Sequence, residues 1–240
     1  MLIRRSKDRH GNIYPAGLNA LASIPDHLSF HTTHQRRHPK SAYSTSLRLI
    51  TTQWIKVLDE YDKLMFEHNF ENKHSNESVL LSEYSQLLFR LNEHLDACIS
   101  ALRNLCPDAA HKPNEFDSHT LTKSKLPGWK AFQEAIKSYR VDHIGYIVNT
   151  IKHKQGELCA VHFKSLMEFR PGYFLRDVLP TGALGPSQKL HSNGNTAFSY
   201  SRDMLLHMWW LFRIGDLLST AVRTAVEVKH AHVLSEDSVD

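Results

Sequence analysis

Apolar residues recur every three or four positions along four long stretches of the chain, and each stretch predicts an amphipathic helix. In the second stretch leucine, tyrosine and cysteine form a nearly continuous heptad seam. The linker between the first two stretches is short, so these helices are expected to be antiparallel neighbours. The helices are predicted over about 42–69, 76–106, 128–156 and 199–228.

The pattern changes between the third and fourth helices. Residues 157–199 contain the short β-like runs LCAVHF and GYFLRDVL, followed by a segment rich in turn residues. The sequence therefore predicts an all-α fold, a bundle of four long helices with a small β or loop insertion at 157–199. An irregular basic arm is expected at 1–41, a single helical-bundle domain at 42–228 and a polar tail at 229–240.

Composition is typical of a folded protein, with 41% hydrophobic and 22% charged residues among 240. The formal net charge of +4 permits an anionic partner without requiring one. Three cysteines without a C-x-x-C motif indicate a reducing compartment, so we expect a cytoplasmic protein. The longest apolar run is interrupted by His207, Arg213 and Asp216, which argues against a membrane-spanning helix.

The basic arm contains Arg36 and Arg37, and it either covers the protein surface or contacts RNA phosphates. His31, His34 and His38 have the spacing of metal ligands. No cysteine or carboxylate stands near them, and the two arginines would repel a cation. The sequence therefore predicts no metal site and no cofactor.

Late in the third helix, Asn149, Lys152 and His153 share one face. An amide, an ammonium and an imidazole can hold a phosphate, and the imidazole can move a proton near neutral pH. The same trio is also compatible with a polar face turned to solvent. The spacing alone leaves both interpretations open.

A four-helix bundle with the cluster NTIKH, Asn149 to His153, resembles the HEPN superfamily of higher-eukaryote and prokaryote nucleotide-binding domains. The resemblance implies an α-helical homodimer that binds RNA. In active members it implies metal-independent RNA cleavage in bacterial stress, toxin–antitoxin or antiviral defence systems. Active members resemble one another in an arginine followed by four to six residues and then a histidine, usually with a polar residue directly after the arginine. Val148 precedes Asn149 here, and Arg140 upstream is the substitute that the helix offers.

The segment RDMLLH, Arg202 to His207, matches the family's arginine–histidine spacing at the start of the fourth helix. Its structural alternative places Asp203 at the positive end of the helix dipole and His207 in the core.

RNA cleavage without a metal needs a base for the 2′-hydroxyl proton and cations for the phosphorane charge. The resemblance implies His207 or His153 as the base, with Asn149 positioning the phosphate. The cations that would hold the phosphate are Arg202, Lys152 and Arg140.

Two functions follow from the sequence. The first is a HEPN-like RNA-binding protein that acts as a metal-independent endoribonuclease. The alternative is a non-catalytic helical module that self-associates or binds a separate effector or antitoxin protein. Convergence of Asn149, His153, Arg202 and His207 on one cleft would favour the first.

Overall fold

A computed structural model gives the fold of the chain and describes residues 6–7, 13–14, 16–71, 77–107, 116–154, 156–165, 168–191 and 197–236. The α-helices are α1 (Ala16–Ala22), α2 (Pro39–Glu71), α3 (Ser78–Arg103), α4 (Asp117–Lys123), α5 (Trp129–Lys137), α6 (Ile144–His153) and α7 (Tyr200–Glu236). A 3-10 turn spans Asp26–Leu28, and a π-helical turn spans Ser138–His143 between α5 and α6. The strands are β1 (Ser6–Lys7), β2 (Ile13–Tyr14), β3 (Glu157–Ser165), β4 (Glu168–Val178), β5 (Leu184–Pro186) and β6 (Phe198–Ser199).

The four long helices of the sequence pattern are confirmed as α2, α3, the α5–α6 pair and α7. The heptad seam of α3 is buried along its whole length. Helix α2 begins at Pro39, three residues earlier than expected, because proline has no backbone N–H to lose in the first turn. Helix α7 continues to Glu236, and the last residues of the predicted polar tail, 237–240, lie outside the described residues.

The prediction of an all-α bundle is wrong, because a four-stranded antiparallel sheet occupies the region between α6 and α7. Strand β4 pairs with β3, β5 and β6, so it is the centre of this sheet. Its side chains Tyr173 and Leu175 are fully buried. The sheet is therefore part of the hydrophobic core, whereas the sequence pattern showed only two short β-like runs.

Parts of the predicted irregular regions are helical as well. Helix α1 lies within the arm predicted at 1–41 and buries Ala20 and Leu21, while α4 lies between the second and third predicted helices, where the sequence pattern predicts no helix. Most of the arm's first fifteen residues lie outside the described residues. None of the helices in the described part of the chain has the length and apolar character needed to cross a membrane.

Contacts divide the chain into two compact units, each assembled from separated stretches of sequence. Unit 1 comprises residues 1–47, 94–137 and 210–240, and unit 2 comprises residues 48–93 and 138–209.

In unit 1, His94 is fully buried and makes polar contacts on both sides of its ring. Its Nδ1 lies 2.8 Å from Ser46 Oγ, and its Nε2 lies 3.7 Å from Cys98 Sγ. Burial lowers the pKa of His94 from 6.5 to about 4. The imidazole therefore stays neutral in the folded protein at pH values where the unfolded chain already binds a proton.

This difference predicts a loss of stability in acid. The contribution of His94 is complete above pH 6.5 and is lost as the pH falls from 6.5 towards 4, since the unfolded state then binds more protons. The wild-type protein should lose about 3 kcal/mol of unfolding free energy through His94 between pH 7 and pH 4, and His94→Gln should abolish this loss. Urea unfolding at pH values across this range measures the unfolding free energy, with the exposed His153→Gln as control. Parallel pH profiles for His94→Gln and wild type would contradict the prediction.

Candidate functional site

Unit 2 contains a buried cluster of His143, Asp203 and His207, called here the His–Asp–His cluster. His207 Nε2 lies 3.1 Å from Asp203 Oδ2, and His143 Nε2 lies 3.4 Å from Asp203 Oδ1. The side chains of His207 and Asp203 are 0% and 2% exposed, while that of His143 is 17% exposed. Helix α7 brings the first two together because they are four residues apart and share one face.

The π-helical turn delivers the third member. It contains Tyr139 and ends at His143, just before α6 begins. A π turn inserts one extra residue into a helix, so the residues on its two sides change their facing direction. This insertion keeps Tyr139, His143 and Ile144 all turned inward, at 1% exposure for Tyr139 and 0% for Ile144. Gly145 is required here, because a Cβ atom at this position would overlap the carbonyl oxygen of Arg140.

Two tyrosine hydroxyls donate hydrogen bonds to the Asp203 carboxylate. Tyr84 from α3 donates to Oδ2 at 2.6 Å, and Tyr173 from β4 donates to the same oxygen in a short bond. Burial, followed by the neighbouring Asp203 charge, raises the pKa of both tyrosines well above the ordinary value, so they remain donors. Strand β4 therefore contributes directly to the cluster.

Opposing influences act on the pKa of Asp203. Burial alone would raise this pKa, but the charge of His207 and the two imidazoles close to the carboxylate hold it well below the ordinary value. The position of Asp203 in the first turn of α7 also favours a negative charge. The carboxylate is thus ionised within the core.

The orientation of His207 is set by Tyr139, whose hydroxyl lies 2.9 Å from His207 Nδ1. The ring of Tyr139 also stacks on His143, with centroids 6.0 Å apart. Both histidines of the cluster are held by the same aromatic side chain.

The cluster adjoins a cleft of about 530 Å³ in unit 2. Asp203 is the member of the cluster that lines the cleft, and Phe198, another lining residue, contacts the ring of His143. Two exposed arginines give the cleft wall a positive charge. The lining residues are Phe163, Arg170, Ala197, Phe198, Ser199, Arg202, Asp203 and Leu206.

A glycine fixes one wall of this cleft. Gly172 of β4 pairs with Ser199 of β6, and an added Cβ would overlap the Phe198 carbonyl and the Phe163 ring. Only a residue without a side chain lets β6 approach β4 this closely. Strand β6 in turn leads directly into α7 and thereby places Arg202 and Asp203 at the cleft.

The structure does not bring the sequence-predicted site residues together. Arg202 lines the cleft and His207 is buried in the cluster, whereas Asn149 and His153 are exposed on α6 and do not line the cleft. Lys152 is also exposed, with its Nζ 5.1 Å from the Phe89 ring centroid.

The other predicted phosphate ligands lie elsewhere. Arg36 forms a salt bridge with Asp117 at 2.6 Å and donates to Ser100 Oγ within unit 1. Arg37 is exposed in the same unit. Arg140 is half-buried in the π turn.

Two of the histidines with the spacing of metal ligands lie next to each other: the rings of His31 and His38 are 4.8 Å apart, edge to face.

Sequence reasoning missed His143 and assigned Asp203 no role in the chemistry, treating it as the polar residue after Arg202 or as a helix-dipole residue. A usable signal was present for both. His143 follows the buried Tyr139 by four residues, which places it on the apolar face of its helix. Asp203 and His207 have the i, i+4 spacing of two ligands on one helical face.

No family model matches the chain, and neither the curated proteins nor the solved structures contain a match to it.

Proposed function

We propose that this protein is an enzyme that binds a phosphate-bearing substrate in the cleft and cleaves it at the His–Asp–His cluster. RNA is the substrate that the HEPN resemblance implies. The observation that carries the proposal is the wall of the cleft, where Arg170 and Arg202 stand with the buried, ionised Asp203.

The two arginines supply the substrate-binding chemistry. A guanidinium group remains charged at all physiological pH values and donates paired hydrogen bonds to phosphate oxygens. Arg202 and Asp203 both line the cleft, so a phosphate bound by Arg202 lies in the same cleft as the carboxylate. This arrangement separates binding at the exposed arginines from proton transfer at the buried cluster.

Proton transfer is assigned to the partly exposed end of the cluster. His143 is its most accessible member and contacts Phe198 of the cleft wall. His207 is fully buried and hydrogen-bonded on both ring nitrogens, so it acts as a positioning residue for Asp203. The base therefore differs from the exposed His153 considered from the sequence.

A labelled RNA oligonucleotide tests the proposal by anisotropy for binding and by gel analysis for cleavage. We expect the Arg170→Ala, Arg202→Ala double variant to bind about 10-fold to 100-fold more weakly and to lower the salt slope by about 1–2. The exposed Arg213→Ala on α7 is the matched control for charge.

In the same assay, His143→Ala should lower the cleavage rate by about 10²–10⁴-fold while RNA binding is retained. His153→Ala, on the exposed end of α6, should leave both quantities unchanged. Equal losses in the His143 and His153 variants, or unimpaired cleavage by His143→Ala, would reject the assignment of the cluster.

The alternative function, a non-catalytic assembly module, is favoured by exposed apolar residues on α7. Such residues on a helix surface are typical of protein–protein contacts and fit the expected homodimer or an effector protein. A protein that neither binds nor cleaves RNA, but is dimeric by light scattering, would favour this alternative. The exposed residues in unit 2 are Leu205, Leu206, Met208 and Trp209.

A cytoplasmic location belongs to the same proposal. It rests on Cys98, Cys106 and Cys159, which are all free thiols.

A further inference from the structure

Hydrogen bonds are distributed unevenly over the Asp203 carboxylate. Oδ2 interacts with Tyr84, Tyr173 and His207. Oδ1 and the facing His143 Nε2 are both buried, 3.4 Å apart, and neither forms a hydrogen bond with any described residue. A buried carboxylate oxygen opposite a buried imidazole nitrogen, both without such a bond, is costly unless a further group joins them.

The geometry of the cluster fits a metal ion as this further group. Each of His143, Asp203 and His207 offers one ligand atom, and these atoms all lie within 4.8 Å of one another. Atoms bound to one ion at about 2.0–2.2 Å are separated by roughly 3–4 Å, so small side-chain rotations would close the site. No other group of three such residues is found in the described part of the chain.

We propose that His143, Asp203 and His207 bind one divalent transition-metal ion of the zinc type, with an open coordination position towards the cleft. Two imidazoles and one carboxylate form a ligand set used by catalytic zinc and non-haem iron sites, which keep a position free for water or substrate. Asp203 lines the cleft, so the ion would lie at its inner end. The inference does not depend on the identity of the substrate.

The surrounding tyrosines match what metal ligands require. A ligating histidine usually donates its second ring N–H to an oxygen, and Tyr139 OH is 2.9 Å from His207 Nδ1. That bond leaves Nε2 as the ligand atom. Tyr84 and Tyr173 hold Asp203 through Oδ2 and leave Oδ1 for the ion. The metal departs from the metal-independent chemistry expected from the sequence, and a bound ion would make His143 a ligand in place of the proton-transfer group of the proposed function.

The test measures binding of Zn²⁺ to the purified full chain by calorimetry in the absence of RNA, so its outcome is separate from that of the cleavage assay. We expect one high-affinity Zn²⁺ per chain. His143→Ala, which removes the most accessible ligand, should weaken binding by at least about 100-fold, and Tyr139→Phe by about 10-fold. Near-ultraviolet circular dichroism confirms that each variant is folded.

Two controls address the other histidines of the chain. His153→Ala and His38→Ala should bind Zn²⁺ as wild type does. Loss of the tight site in His38→Ala, or its retention in His143→Ala, would overturn the proposal.

The wild-type protein gives a second measurement that needs no variant. Co²⁺ bound by two imidazoles and a carboxylate should show visible absorption of a four- or five-coordinate ion, and Zn²⁺ should abolish it competitively. A folded wild-type protein that binds neither ion would likewise overturn the proposal.

Discussion

Replacing Asp203 with alanine should lower the free energy of unfolding by about 3–5 kcal/mol, measured by urea denaturation in the presence of EDTA. Removal of one partner from a buried charged network leaves the others without a counter-charge or acceptor. Here the groups left behind are two tyrosine hydroxyls and two imidazoles, three of which belong to residues that are at most 1% exposed. Tyr84 and Tyr173 are both fully buried, so the loss of their common acceptor costs the desolvation free energy of the two hydroxyls.

Graded variants separate this network effect from a general loss of packing. Tyr84→Phe and Tyr173→Phe each remove one donor and keep the ring, so each should cost about 1–2 kcal/mol. Asp59→Ala, at an exposed position on α2, should change stability by less than about 0.5 kcal/mol. An Asp203→Ala protein within about 1 kcal/mol of wild type would show that the cluster does not hold the core of unit 2 together.

The second large effect is expected at Gly145, two residues after the end of the π turn. An alanine Cβ would overlap the carbonyl oxygen of Arg140, which is backbone and cannot rotate away. The turn must rearrange, and we expect a loss of about 3 kcal/mol, at the upper end of the usual cost of overpacking. Urea unfolding measures this loss.

The same substitution should disturb the cluster, because the turn positions His143. We expect Gly145→Ala to weaken Zn²⁺ binding along with stability. Gly215→Ala on α7 is the matched helical control, since among the described residues its added Cβ meets only the Tyr43 hydroxyl, at 3.1 Å. Its better helix propensity should offset that contact, with a net change below about 1 kcal/mol. Equal effects of the two substitutions would argue against a special role for the π turn.

Much of the helical structure could be predicted because the periodic spacing of apolar residues is a property of each helix's own sequence. The α3 seam from Leu80 to Leu105 repeats the three-and-four spacing without interruption, and every member of it is buried. The π turn at Ser138–His143 lies in the middle of the third predicted helix. The π geometry itself could not be predicted, because it depends on which residues the neighbouring elements require on the inside.

The sheet was underestimated for a similar reason. LCAVHF and GYFLRDVL showed strand character, but whether a strand stays at the surface or enters the core depends on its partners. Tyr173 can be buried because its hydroxyl donates a hydrogen bond to Asp203, which lies 30 residues later in the chain. The pairing of Gly172 with Ser199 is likewise non-local, and neither segment alone has a sequence pattern that predicts it.

The sequence by itself determined the positions of the long helices, the face that each one buries, and the i, i+4 spacing of Asp203 and His207. These properties depend on residues within a few turns of each other. Only the tertiary structure decided that His143 joins that pair, that tyrosines from α3 and β4 bind the same carboxylate, and that Arg202 rather than Asn149 or His153 lines the cleft. Each of these arrangements brings together residues from separate elements. The free energy that stabilises it comes from burial and from charge interactions, which exist only when the chain is folded.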